Sequence, residues 1–220
     1  MPAADRILAQ LTNIAATWRW MAILWHLYFV LLIVLIVVPD SPVRPSRRMA
    51  GVALTLPLAS VALLAWWSGN PFNGVIFGAG AALFLAISSR MTPLRVRVAS
   101  PFGLVAGLAL AAFGWFYPHF TAAGAVWTYL YAAPVGLLPC PTLSIVAGLT
   151  MAFAGLESRA WAVAIALLGL WYGAFGALRL GVTIDWVLFT GSVVLFALQL
   201  KRVPDGAPGP SPDGDGASSR

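Results

Sequence analysis

The sequence predicts an all-α protein, a polytopic transmembrane helix bundle of about seven spans with its N-terminus outside and its C-terminus in the cytoplasm. Three observations carry this expectation. Hydrophobic residues make up 60% of the 220 and charged residues 9%, against roughly a half and a quarter in soluble domains, and mean hydropathy is +0.88. The apolar residues gather into runs near the ~20 residues that a span requires. The 13 Lys and Arg residues are concentrated in alternate connections, as expected where positive charge stays on the cytoplasmic side.

Residues 1–18 come first. Ile7, Leu11, Ile14 and Trp18 recur at helical spacing, which predicts an amphipathic helix lying on the membrane surface. The first apolar run is of span length with no small-residue cleavage site after it, so it reads as a span and not as a signal peptide. The bundle then occupies 19–202, with spans at 20–38, 50–67, 74–89, 102–117, 141–156, 160–178 and 182–200. The third and fifth are short, and their ends are expected to run into the flanking loops. Residues 203–220 hold Pro, Gly, Asp and Ser with almost nothing apolar, and read as a disordered cytoplasmic tail. No internal repeat is evident.

Arg44, Arg47 and Arg48 follow the first span and Arg90, Arg95 and Arg97 the third, whereas the connection at 68–73 is uncharged. The two arginine loops are therefore cytoplasmic. Lys201 and Arg202 close the last span, which asks for an odd number of crossings. The stretch 119–140 then stays outside as a non-spanning loop, surface helix or re-entrant piece. Seven spans leave ten of the 13 basic residues inside and three (Arg6, Arg19, Arg179) outside, whereas an eighth span at 124–139 would split them seven to six.

The motif Gly136-Leu-Leu-Pro-Cys-Pro-Thr142 opens the fifth span and holds the chain's single cysteine. Pro139 and Pro141 cannot sit in a regular helix interior, so they place irregular backbone at a membrane boundary, where carbonyls need water or protein partners. A helix start there turns amides toward any anion or polar group. A lone Cys140 makes no intramolecular disulfide and no dithiol redox pair, and a buried single cysteine ordinarily behaves as a small hydrophobe.

The orientation brings several polar residues to one leaflet. His26 lies about two turns into span one from outside, His119 follows span four, Cys140 and Thr142 open span five, and Asp185 lies one turn into span seven. Nine of the ten tryptophans, all but Trp161, fall in the same outer half. The one-sidedness points to a cavity or docking surface there. Asp185 is the leading candidate because a carboxylate within a bilayer is costly and functional by default; the plainer reading is a span cap or a partner for Arg179. His26 could ligate a metal or relay a proton, or simply bond a carbonyl between helices, and His119 reads as a solvated loop residue. A bis-histidine haem from the two is conceivable by ligand type, so cofactors stay unassigned. The candidate residues are Asp185, His26, Thr142, Pro139, Pro141, Cys140 and His119. Gly74/Gly78, Gly103/Gly107 and Gly169/Gly173 have the spacing of close helix packing within one bundle.

Three stretches, Tyr117-Pro118, Gly136-Leu-Leu-Pro-Cys-Pro-Thr142 and Gly181-Val-Thr-Ile-Asp185, resemble those of a bacterial family of small multi-span membrane proteins of unknown function. That family shows a Gly-x-x-Pro-Cys/Asp-Pro-Thr motif. The resemblance covers most of the chain except the tail. It implies the same span layout and weight on Pro139, Pro141, Thr142 and Asp185, while members with Asp in place of Cys140 argue against an essential thiol.

No nucleophile elbow, phosphate-cradling loop or metal-spaced Cys/His cluster occurs, so an enzyme is not expected, and neither is a nucleic-acid partner. Two function classes follow for a multi-pass protein of the bacterial inner membrane. One is an outward-facing binding or scaffold component, with the lipid bilayer and other membrane subunits as its partners. The other is a small-solute or ion permease with a site in the outer leaflet between spans one, five and seven. A permease needs a polar path inward, yet below the outer mouth spans five and six offer only Ser144, Thr150 and Tyr172.

Overall fold

A computed structural model of the chain describes residues 3–37, 45–120 and 126–200, so the expected tail at 203–220 lies outside the described residues. Among them every regular element is helical: α1 (Ala4–Thr17), α2 (Arg19–Val37), α3 (Arg47–Trp67), α4 (Pro71–Ser89), α5 (Pro101–Phe116), α6 (Thr128–Ala132), α7 (Pro139–Ala152), α8 (Arg159–Ala174) and α9 (Trp186–Leu200). Five segments are long and apolar enough to cross a membrane: Arg19–Ile36, Arg47–Trp67, Pro71–Ser89, Arg159–Arg179 and Thr183–Leu200. Two further apolar helices, α5 and α7, are shorter, at 16 and 14 residues.

Local chemistry sets the boundaries. Ser46, Asn70, Ser100 and Ser158 each precede a helix and accept a hydrogen bond from a backbone amide of its first turn, satisfying donors that the helix itself cannot pair. Pro71, Pro101 and Pro139 stand at the first helical position, where a missing amide hydrogen costs nothing. The third span thus begins at Pro71, earlier than its apolar run suggests.

α7 forms the axis of the bundle. From Pro139 to Ala152 every residue except Cys140 is buried, and α3, α5, α8 and α9 all pack against it. Its approach to α5 is backbone to backbone. A side chain at Gly107 would meet Gly148 O and Ala152 N at 2.5 Å, and one at Gly148 would meet Ala111 N at 2.5 Å. Gly169 and Gly173 likewise admit Ser192 and Phe189 of α9, and Gly74 admits Trp66, whereas nothing approaches Gly78.

The expected fifth span at 141–156 is shifted: its helix starts two residues earlier and stops at Ala152. Ala154, Gly155, Leu156 and Glu157 all have φ between 50° and 61°, a left-handed turn that no right-handed helix can absorb and that costs each L-residue roughly 1–2 kcal/mol. Contacts around the turn hold it in place. Glu157 pairs with Arg47 and, at 3.5 Å, with Arg97, and Trp161, fully buried, donates to Thr150 Oγ1 at 3.0 Å. Arg47 N also donates to Leu94 O at 2.8 Å, so the α2–α3 and α4–α5 connections meet at this end of the bundle.

The stretch 119–140 contains no spanning helix among its described residues. It offers only the five-residue α6, wedged between α2 and α5, followed by a buried irregular run from Ala133 to Leu138.

Candidate functional site

The end of the bundle opposite the arginine loops holds a cavity of about 360 Å³. Its walls come from six places. Arg6, Ile7, Gln10 and Leu11 belong to α1; Asn70, Phe72 and Asn73 to the α3–α4 turn; Phe120 follows α5; Leu138 to Pro141 belong to the start of α7; Tyr172, Phe175, Gly176 and Leu180 to the end of α8 and the turn after it; Asp185 precedes α9. α1 buries Leu11, Ile14 and Ala15, so its apolar stripe lies against protein.

Local folding delivers each polar group. After Ala174, α8 widens into a π-helical turn over Phe175–Arg179, a feature frequent at functional sites. Gly181 then takes φ +72°, and a 3₁₀ turn at Thr183–Asp185 reverses the chain and points Asp185 inward. The residue is 1% exposed. Its Oδ1 accepts from Tyr117 Oη at 2.6 Å, Cys140 also interacts with the carboxyl group, and Oδ2 presses on Gly176, where any side chain would collide with it. The carboxyl thus faces the bundle and is more than a cap, and among the described residues Arg179 forms no ion pair with it. Beside it, Tyr172 Oη donates to Asn73 Oδ1 at 2.9 Å, and the Cys140 thiol points at Tyr172 O at 3.9 Å.

The sequence candidates separate. Asp185, Cys140, Pro139 and Pro141 share the cavity. Thr142 stands behind it as a clamp. Its hydroxyl accepts from Gly136 N at 2.8 Å and donates to Leu138 O at 2.6 Å, fastening the irregular run onto the first turn of α7, where Gly136 needs its positive φ of 71°. Because both prolines lack an amide hydrogen and Thr142 N bonds to Leu138 O at 3.4 Å, this helix start has little to offer an anion. His26 is buried elsewhere, its ring nitrogens 2.8 Å from Ala22 O and 3.3 Å from Trp115 O, with Trp115 edge-on at 4.7 Å. That arrangement matches the interhelical bonding role. His119 is exposed and packs edge-on against Phe120 at 4.3 Å; partial burial holds its imidazole below the usual range. Span one, α2, adds nothing to the lining.

Tyr117, Tyr172, Asn73, Gly176 and the α1 pair Arg6 and Gln10 were not among the candidates. Tyr117-Pro118 was visible as a motif, but depth alone could not show that the tyrosine turns toward Asp185. Below the cavity the polar groups of α7 are paired internally, Ser144 Oγ donating to Cys140 O at 2.8 Å and Thr150 serving Trp161, whereas Ser192 Oγ and Gln199 Oε1 of α9 are buried without a hydrogen-bond partner among the described residues. Comparison with protein-family models, curated proteins and solved structures finds no match for this chain.

Proposed function

We propose that this chain is an outward-facing small-molecule-binding component of a bacterial inner membrane, working by binding and not by catalysis. The observation that carries the reading is the cavity of about 360 Å³ with a buried carboxyl group, Asp185, at its base. Its size falls in the range of ligand sites, and its lining of apolar surface with a few convergent polar groups is what such sites use.

The placement rests on seven crossings, the five long helices plus α5 and α7. At about 1.5 Å per residue α7 reaches only ~21 Å, short of the ~30 Å hydrocarbon core. A helix sheathed by protein on all sides is not bound by that thickness, and irregular backbone at membrane depth is tolerated where protein buries it. The buried run at 133–138 satisfies that condition at one end of α7, and at the other Gly155 and Leu156 are buried while the exposed Glu157 is free to meet an interface. The arginine loops then face the cytoplasm, and the cavity lies in the outer half, which also holds nine of the ten tryptophans, none of them in its lining. The resemblance to small multi-span bacterial proteins agrees with this layout. The permease reading is weaker, since α7 is packed from Pro141 to Ala152 and its inner polar groups are already paired. A binding subunit within a larger membrane assembly fits these features.

Cys140, the sole cysteine, lines the cavity and reports on it. In right-side-out vesicles a small, charged, membrane-impermeant methanethiosulfonate should modify Cys140, and in inside-out vesicles it should not. Modification only from the cytoplasmic face would overturn the orientation, and none from either face would mean that the cavity is closed to solutes.

A further inference from the structure

The cavity's chemistry reaches further than the existence of a site. Resting on the binding reading above, we propose that the ligand is an organic ammonium ion with an apolar body. Several polar atoms of the lining present acceptors, beside donors in Arg6 and in the amides of Gln10, Asn70 and Asn73. Asp185 already takes the hydroxyl of Tyr117 and interacts with the Cys140 thiol, and an ionised carboxylate has about four acceptor positions to fill. Tyr172 spends its one hydroxyl proton on Asn73 Oδ1, leaving its oxygen as an acceptor. Asn70 Oδ1 is likewise an acceptor, taken by Asn73 N at 3.2 Å. The carboxylate at the base, with acceptor positions still to fill, suits a cation bearing several N–H groups.

The walls agree with such a head group. Phe72 and Phe175 lie side by side with ring centroids 6.2 Å apart, and Phe120 stacks on Tyr117 at 6.4 Å and 6°. Phe72, Phe120, Tyr172 and Phe175 all line the space, and aromatic faces attract ammonium groups, the more so away from water. Leu11, Leu138, Pro139 and Leu180 supply apolar surface for the remainder of the molecule. At roughly 30 Å³ per water, the space holds the equivalent of about a dozen waters, enough for a ligand of similar heavy-atom count. Arg6, the other charge on the lining, sits on an exposed face of α1 at the rim, while the carboxyl lies at the base. The deep charge therefore selects the head group.

Three near-isosteric probes test this: phenethylamine, phenethyl alcohol and phenylacetate, each competing with neutral methyl methanethiosulfonate for Cys140 in the full chain in nanodiscs. Phenethylamine should half-protect at a concentration about 10-fold or more below that of the alcohol, as a charge-assisted hydrogen bond implies, and phenylacetate should protect least. In Asp185→Asn the amine's advantage should vanish while the alcohol still protects, which also shows that the cavity has formed. Arg6→Glu, on the exposed face of α1, should strengthen protection by the amine; weaker protection would point to an anionic ligand and overturn the proposal. Equal protection by alcohol and amine, or an advantage that survives Asp185→Asn, would overturn it as well. If Cys140 reacts from outside yet no probe protects it, the ammonium proposal falls while the open cavity stands. If Cys140 never reacts, the binding reading itself fails.

Discussion

Thr142→Val is the most direct test of how the site is built. The substitution keeps the side chain's shape and removes one hydroxyl, which accepts from Gly136 N at 2.8 Å and donates to Leu138 O at 2.6 Å. Thr142, Gly136 and Leu138 are all buried, so water does not replace the lost partner. A buried amide left unpaired costs about 1–3 kcal/mol and a lost neutral hydrogen bond about 0.5–1.5 kcal/mol, together about 2–4 kcal/mol. For a chain of this size that lowers the melting temperature by roughly 4–16 °C, readable from the fluorescence of the ten tryptophans in mild detergent. Thr142→Ser is the control. It keeps the hydroxyl and gives up one methyl, about 1 kcal/mol, so stability should fall in the order wild type, serine, valine. A valine variant as stable as wild type, or a serine variant as damaged as valine, would refute the clamp and leave Thr142 a packing residue.

Gly148→Ala should destabilise by about 1–3 kcal/mol, because its methyl meets the backbone of α5 at 2.5 Å and neither helix can yield cheaply. Gly78→Ala enters open space and should stabilise by up to about 1 kcal/mol through helix propensity, so parallel melting of the two variants checks the packing argument. Arg97→Ala should change stability by less than about 0.5 kcal/mol, since the side chain is 76% exposed. Arg47→Ala, acting on a side chain only 14% exposed against the same Glu157, should be clearly worse in the same melting assay.

Much of the fold was legible in the sequence, because lipid imposes a single strong rule on composition. The apolar runs at 20–38, 50–67, 74–89, 102–117 and 160–178 correspond to α2, α3, α4, α5 and α8 within a few residues at each end. The misplaced boundary was at the fifth span, where Phe153 to Leu156 is as apolar as the helix before it and only the backbone dihedrals reveal a left-handed turn. The site was half legible. Asp185 stood out because a lone carboxylate in a span has few innocent explanations, and the paired prolines marked the irregular run beside it. Tyr117 and Tyr172 carry no such mark, since tyrosines are ordinary at membrane interfaces. The role of α1 was hidden for a related reason: the same apolar stripe serves a lipid surface or a protein wall, and periodicity is identical for both.

The burial of α7 on every side has a consequence for synthesis. A 14-residue helix is a weak insertion signal by itself, and two of the helices that surround it, α8 and α9, follow it in the chain. While the ribosome is still making them, Ser144 and Thr150 have no finished sheath around them, and Asp185, the base of the cavity, has not been added. The axis of this bundle is therefore completed late, when α9 docks. A nascent chain stalled after Ala174 would present an uncovered core to the membrane quality-control machinery.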